Sequence, residues 1–245
     1  MVREMATRYG RSYGGYFWAL AEPVGTIAVL SIAFSQFLRT PALGDSFMLF
    51  YATGYVPFQY FMTLSQQVGS SVAFNRNLMY FPMVTPLDAV ISRTVLGLLT
   101  LIVVTLIVFT GILLFIPEHV TISLPEIAIA CGATSILGVG TGTLNSVLFA
   151  FFPAWKNMWG ILTRPLFIIS GIFFTYESMP SGVQSLLIWN PLVHAIGKAR
   201  QGFYPIYDGA YILIWYPIGL GLFCFMLGGV LLIRHRSFVV ENSGG

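Results

Sequence analysis

"WNPLVHAIGKARQGFYP", residues 189–205, is a short polar interruption between long apolar runs, and its reading decides how the chain folds. Asn190-Pro191 breaks the backbone. Beyond it Leu192, Ile196, Ala199 and Phe203 fall on one helical stripe, with His194, Lys198 and Gln201 opposite and Arg200 on the flank. The preceding "SGVQSLLIW" is a second short, partly apolar piece. Neither is long enough to cross a bilayer, which takes about 20 apolar residues. Two short helices that start and end on the same side make a re-entrant hairpin. Backbone that is not helical is tolerated at such depth only where it is buried in protein or lines a wet cavity. The stretch therefore reads as an outer gate, the alternative being an amphipathic helix that stabilises an outer rim.

The surrounding composition is that of an integral membrane protein. Hydrophobic residues make up 56% of the chain and charged residues 9%, where soluble proteins carry nearer a quarter. Mean hydropathy is +0.80. Six stretches read as spans, at 16–38, 47–64, 95–116, 127–152, 158–176 and 212–233. No cleavable leader is expected, because the charged start "MVREMATRYG" runs into a full span without a small-residue cleavage pattern. Cys131 and Cys224 lie in apolar runs and read as packing residues.

Basic residues orient the chain. With the N-terminus inside, Arg3, Arg8, Arg11, Arg76, Arg93, Lys156, Arg164, Arg234 and Arg236 are cytoplasmic, while Arg39, Lys198 and Arg200 are outside. That asymmetry puts both termini in the cytoplasm. The expected fold is an all-α membrane protein. Residues 1–15 form an interfacial amphipathic helix, 16–176 carry spans one to five, 177–210 form the extracytoplasmic re-entrant hairpin, and 211–245 carry span six and a tail.

Enzymatic chemistry is not legible. There is no G-x-S-x-G and no H-E-x-x-H, and His119, His194 and His235 are scattered, so neither catalytic residues nor a metal site are expected. A phosphate-binding loop must end in Lys-Ser or Lys-Thr, and neither Lys156 nor Lys198 fits. Energy for uphill transport would come from an ion gradient or from another subunit.

Several residues stand out as candidates. Val2, Met5, Tyr9, Tyr13 and Tyr16 share one face of the start, and Glu4, Arg8 and Arg11 the other, with Arg3 beside them. The basic group reads either as an anchor for anionic lipid or as a guide for an anionic substrate. Glu22 is either solvated at the inner edge or paired with an arginine beside a conduit. Arg164, next to Pro165, either faces a conduit or snorkels into headgroups. Gly132, Gly138, Gly140 and Gly142 allow close helix approach, and Thr134, Thr141, Thr143, Asn145 and Ser146 could hydrogen-bond across the contact. "SSVAFNRNLMYF" before Pro82 reads as a short amphipathic helix, and "FPAWKNMW" (152–159) as the matching inner loop.

The stretches "REMATRYGRSYGGYFWALAEP" (3–23), "GYVPFQYF" (54–61), "NRNLMYFPMVTPLDAVISR" (75–93) and "SMPSGVQSLLIWNPLVHAIGKAR" (178–200) together resemble the membrane subunit of ABC-2 type exporters. More narrowly, they resemble the permease of capsular polysaccharide export in Gram-negative bacteria, over nearly the whole chain. The resemblance implies an inner-membrane homodimer bound to two copies of a separate ATPase, which would hold ATP and Mg; no cofactor is expected in this chain. A lipid-linked, anionic polysaccharide would pass between the permease halves. A periplasmic co-polymerase and outer-membrane export proteins are further partners it admits, and no nucleic acid is expected. The resemblance makes Asn75, Arg76, Asn77 and Tyr80 candidates for ATPase coupling. Arg3, Arg8, Arg11, Arg164 and Glu22 are substrate-path candidates, and Glu177, Asn190, His194, Lys198 and Arg200 outer-gate candidates. Alternatives are an ABC-2 exporter of another cargo (O-antigen, teichoic acid or a similar glycan, a drug) and, from other classes, an ion-coupled carrier or channel or an intramembrane enzyme.

Overall fold

A computed structural model describes residues 15–79, 84–116 and 120–242. Among them the regular structure is entirely helical. The helices are α1 (Gly15–Ser35), α2 (Phe47–Gly69), α3 (Ser71–Phe74), α4 (Pro86–Phe115), α5 (Leu124–Phe151), α6 (Pro153–Ile169), α7 (Ser181–Leu187), α8 (Pro191–Gln201), α9 (Trp215–Arg234) and α10 (Arg236–Asn242), with 3₁₀ turns at Arg76–Leu78 and Tyr176–Ser178. The expected interfacial helix over 1–15 lies outside the described residues, apart from Gly15, which opens α1.

Among the described residues three helices, α4, α5 and α9, are long and apolar enough to cross a membrane, and Leu20–Ser35 within α1 is a shorter apolar helix. At 1.5 Å per residue α4 and α5 exceed the roughly 30 Å hydrocarbon core of a bilayer. Their outward faces carry exposed Leu99, Ile102, Leu106 and Ile129, while α9 exposes Phe223, Met226 and Val230. Apolar surface of this extent belongs against lipid or protein.

Helix α2 is different because it is the centre of the bundle. Seventeen of its 23 residues are buried, and the polar side chains Gln59, Thr63 and Gln66 that are not fully buried line a cleft. It packs on α1, α4, α5 and α8. Close approach to α5 follows from glycine: a Cβ on Gly138 would sit 2.9 Å from the Phe61 carbonyl oxygen. On the other side of α5, a Cβ on Gly140 would come within 1.9 Å of the Gly221 carbonyl oxygen of α9. The glycine run is thus a two-sided packing device, while Gly132 faces open space. The neighbouring hydroxyls do not bridge helices as expected. Thr134, Thr141 and Thr143 donate to carbonyls one turn back in α5, and Ser146 donates to Thr143 O. In a helix whose neighbours present backbone and apolar atoms, the i−4 carbonyl is the nearest acceptor.

Several boundaries differ from the sequence reading; α2, for one, runs on to Gly69 past the expected end at 64. Helix α4 begins at Pro86 rather than Val95, because Thr85 and Asp88 form a capping box and Pro86 occupies N1. Where a fifth span is expected over 158–176, the helix is Pro153–Ile169. Pro153 at N1 starts it one residue after α5 ends, which absorbs the inner loop, and Gly171 at φ +84° ends it. Residues 172–180 are not α-helical, and Tyr176–Ser178 forms a 3₁₀ turn.

The bundle has two distinct ends. At one, the C-terminus of α2, the turns after it, the start of α4, the joint between α5 and α6, and α10 come together. At the other, α8 and its flanking residues Asn190 and Gly202 cap the start of α2 and α5 and the end of α6, and α7 packs on the 3₁₀ turn Tyr176–Ser178.

Candidate functional site

A cleft of about 820 Å³ opens between α1, α2, α4 and α6. Its central wall is one face of α2, where Tyr55, Gln59, Thr63, Gln66 and Gln67 recur at helical spacing. Thr26, Thr100 and Thr163 add hydroxyls from the other three helices, and Phe58 and Phe167 add aromatic faces. Gln67 is 7% exposed, and its side-chain oxygen, like that of Gln59, is buried without a hydrogen-bond partner. A buried acceptor without a donor is unfavourable by about 1–3 kcal/mol. Such groups fit a ligand, or water, that brings hydroxyls.

Glu22 and Arg164 line this same cleft. Glu22 lies seven residues beyond the start of α1, roughly 10 Å along the helix, and is exposed. Arg164 sits next to Pro165 in an unbroken α6. The sequence thus pointed to two wall residues but missed the polar ladder between them. Its signal was available: four polar residues at i, i+4, i+7 and i+8 in an otherwise apolar span. Arg3, Arg8 and Arg11 lie outside the described residues.

At the capped end, the gate candidates lie together and each ties the cap to another element. Asn190 accepts from Leu192 N at 3.0 Å, capping α8, while its Nδ2 donates to Ile169 O at 3.1 Å at the end of α6. Arg200, 1% exposed, donates from Nη1 to Phe174 O at 2.8 Å and from Nη2 to Ile172 O at 3.2 Å. Its guanidinium lies 4.4 Å from the Phe50 ring centroid. Lys198 forms an ion pair with Glu126 in the first turn of α5. Glu177 accepts from Tyr207 Oη at 3.0 Å. Burial, with Tyr211 and Glu177 nearby, pushes the Tyr207 phenol well up, so it stays protonated and able to donate.

The expected stripe of Leu192, Ile196, Ala199 and Phe203 is buried, but the opposite face is not uniformly wet. His194 is 2% exposed; its Nε2 donates to Ile188 O at 2.8 Å and its Nδ1 accepts from Leu213 N at 3.2 Å. Only Lys198 and Gln201 on that face keep partial exposure. Eight of the eleven residues of α8 are buried, so it is a core element of the fold. Periodicity could not show this, because Ile188, Tyr211, Leu213 and Tyr216 close over His194 from outside the helix.

At the opposite end, the expected amphipathic helix is one turn, Ser71–Phe74, followed by the 3₁₀ turn Arg76–Leu78. Asn75 is turned inward, its Nδ2 donating to Ser71 O at 3.1 Å. Asn77 is exposed and Arg76 half-buried. Arg93, buried in α4, stacks 4.0 Å from the ring centroid of Phe74 and supports the turn from beneath. Tyr80 lies outside the described residues.

Apolar helices around a polar-walled cleft, with a knitted cap at one end and exposed short turns at the other, define a membrane-embedded transport subunit. The chain belongs to the ABC-2 type transporter family, whose model matches residues 1–204. It is thus the membrane component of an ATP-driven transporter rather than its ATPase. The polysialic acid transport protein KpsM of Escherichia coli is 30% identical over 244 residues, covering 99% of this chain and 93% of that protein. The capsule polysaccharide export inner-membrane protein BexB of Haemophilus influenzae is 27% identical over 250 residues, covering 98% and 91%. The capsule polysaccharide export inner-membrane protein CtrC of Neisseria meningitidis serogroup B is 26% identical over 243 residues, again 98% and 91%.

Proposed function

We propose that this chain is the inner-membrane permease of a capsular polysaccharide exporter. Helices α1, α2, α4, α5, α6 and α9 serve as six spans with both termini cytoplasmic, and α7 and α8 form the extracytoplasmic cap. Two copies face each other, and two copies of a partner ATPase, holding ATP and Mg, drive them from the end that carries Arg76 and Asn77. The cargo is a lipid-linked, acidic glycan.

The observation that carries this reading is the cleft. Its wall offers neutral hydrogen-bonding groups and aromatic faces, which suit the hydroxyls and ring faces of sugars, and one arginine suited to a carboxylate or phosphate. Glu22 beside it keeps the lining from being uniformly positive, which would hold a polyanion rather than pass it. In the Mechanism this implies, each sugar exchanges its hydroxyl partners along the α2 ladder while Arg164 meets the acidic groups in turn. Weak, repeated contacts of one kind permit movement where a single strong site would trap the chain. Nucleotide-driven approach of the ATPase subunits shifts the turns at 71–79, opens the cleft between the two permease copies and releases the cap.

The test is capsule export in cells that carry the full chain with its partner ATPase. Gln59→Leu with Gln66→Leu should lower surface polymer severalfold at unchanged membrane level, and Arg164→Gln should lower it for an acidic polymer. Wild-type surface polymer in both variants would sink the assignment of this cleft.

A further inference from the structure

The C-terminal helix α10 takes no part in the cleft or the cap, yet it is built into the end that faces the ATPase. Helix α9 ends at Arg234, His235 bends the backbone (φ −111°, ψ 29°), and α10 begins at Arg236. Arg236 Nη2 then donates to the carbonyl oxygen of Val84 at 2.8 Å, 152 residues earlier in the chain. Val84 immediately precedes the capping box that starts α4.

Apolar packing makes the same connection. Val239, fully buried, and Val240 belong to one cluster with Val72 of α3, Met79 after the 3₁₀ turn, and Ala89 and Val90 of α4. Phe238 stacks on Phe151 at the end of α5, ring centroids 4.6 Å apart, and His235 meets the same ring edge-on at 5.3 Å. Phe151 is two residues from Pro153, where the cleft-lining α6 begins. One short helix thus touches α3, the start of α4 and the joint between α5 and α6.

The coupling turns cannot hold themselves. A single helical turn followed by a 3₁₀ turn is far below the length at which a helix is stable alone. Their height and angle are set by what packs against them, namely Arg93 under Phe74 and the Val239–Val240 side of α10. We infer that α10 is a positioning brace: it fixes the coupling turns relative to α4 and α6, so that force applied at residues 71–79 moves the cleft instead of bending the turns. Without it the ATPase would still bind, but its stroke would be dissipated locally. The inference rests on the reading of residues 71–79 as the ATPase-facing segment.

The experiment uses the full chain in membranes with its partner ATPase and measures three quantities: ATPase co-purification, ATP hydrolysed, and polymer exported per ATP. Arg236→Ala should leave the ATPase bound and hydrolysing while polymer per ATP falls about fivefold, the factor that loss of one partly buried hydrogen bond of about 1 kcal/mol corresponds to. Arg236→Lys, which keeps a donor for Val84 O, should restore most of it. Val239→Ala should act in the same direction as Arg236→Ala, and if Val239→Asp fails to accumulate, the alanine variant carries the test. A wild-type ratio in Arg236→Ala and Val239→Ala overturns the brace. If instead Arg76→Ala with Asn77→Ala leaves binding and coupling intact, the ATPase-facing assignment itself is overturned.

Discussion

Arg200 holds the carbonyl oxygen of Phe174 at 2.8 Å across 26 residues of sequence, and this bond ties the cap to the end of the helix that lines the cleft. The same guanidinium reaches Ile172 O and stacks on Phe50, so one buried cation takes up carbonyls left without helical partners after Gly171. Gly54 makes room for the backbone that Arg200 holds: a Cβ there would lie 3.1 Å from the Ile172 Cα. Hydrogen bonds to a charged group contribute about 1.5–3 kcal/mol each, so Arg200→Ala should destabilise the protein by about 3 kcal/mol or more. Thermal unfolding in detergent checks this. Arg200→Lys should recover only part, since an ammonium lacks the planar fork that spans two carbonyls and stacks on a ring. Wild-type melting of Arg200→Ala would contradict the clamp.

The faces of α8 can be read by chemistry. Single cysteines at Lys198 and Gln201, which keep partial exposure, should react from outside with a membrane-impermeant thiol reagent. Cysteines at Leu192, His194 and Ile196, all buried, should be protected. His194 marks the difference between the helix as a lone amphipathic segment and as a core element. Strong outside labelling at position 194 would refute the buried arrangement, and labelling of Lys198→Cys only from the cytoplasm would invert the topology.

Glycine packing gives a paired prediction. Gly140→Ala places a methyl group 1.9 Å from a backbone oxygen of α9, which cannot swing away as a side chain could. Overpacking of this kind is unfavourable by about 1–3 kcal/mol, so the melting temperature should fall by several degrees. Gly132→Ala meets no atom within 4 Å and should melt like the wild type or slightly higher, given alanine's better helix propensity. Equal melting of the two variants would contradict the α5–α9 contact.

Much of the fold was readable because it rests on local physics. Asn190-Pro191 announced the break between α7 and α8, and the stripe through Leu192, Ile196 and Ala199 gave the buried side of α8 correctly. The glycines of α5 announced close packing, although not that Gly138 and Gly140 serve opposite neighbours. What stayed hidden depends on partners distant in sequence. Arg200 looked like a boundary charge because nothing local reveals that Ile172 and Phe174 supply its acceptors. The start of α4 was missed because hydropathy sees Val95 onward, whereas the helix is nucleated by Thr85, Pro86 and Asp88. Of the cleft, Glu22 and Arg164 stood out as charges in apolar surroundings. The glutamines did not, because attention to charge passes over neutral polar side chains, and only the assembled bundle shows Gln59, Gln66 and Gln67 sharing one wall with Glu22 and Arg164.

The cleft should discriminate cargo by charge. Arg164→Gln is expected to lower transport of an acidic glycan severalfold while leaving a neutral glycan of similar length nearly unchanged, because only the former loses a charge-assisted hydrogen bond. Competition between the two polymers in one membrane preparation measures the ratio. Equal loss for both would assign Arg164 to packing or to the headgroups instead.

The central claim is tested most directly in inverted membrane vesicles that contain the full chain and its partner ATPase, with lipid-linked capsular polysaccharide supplied on the exposed cytoplasmic face. The measurement is polymer protected inside the vesicle as a function of added ATP and Mg. The account predicts uptake that requires this chain, the ATPase and hydrolysable ATP together, and that persists when ion gradients are collapsed. Uptake that continues without the ATPase or ATP, or that vanishes with the ion gradients alone, would contradict it.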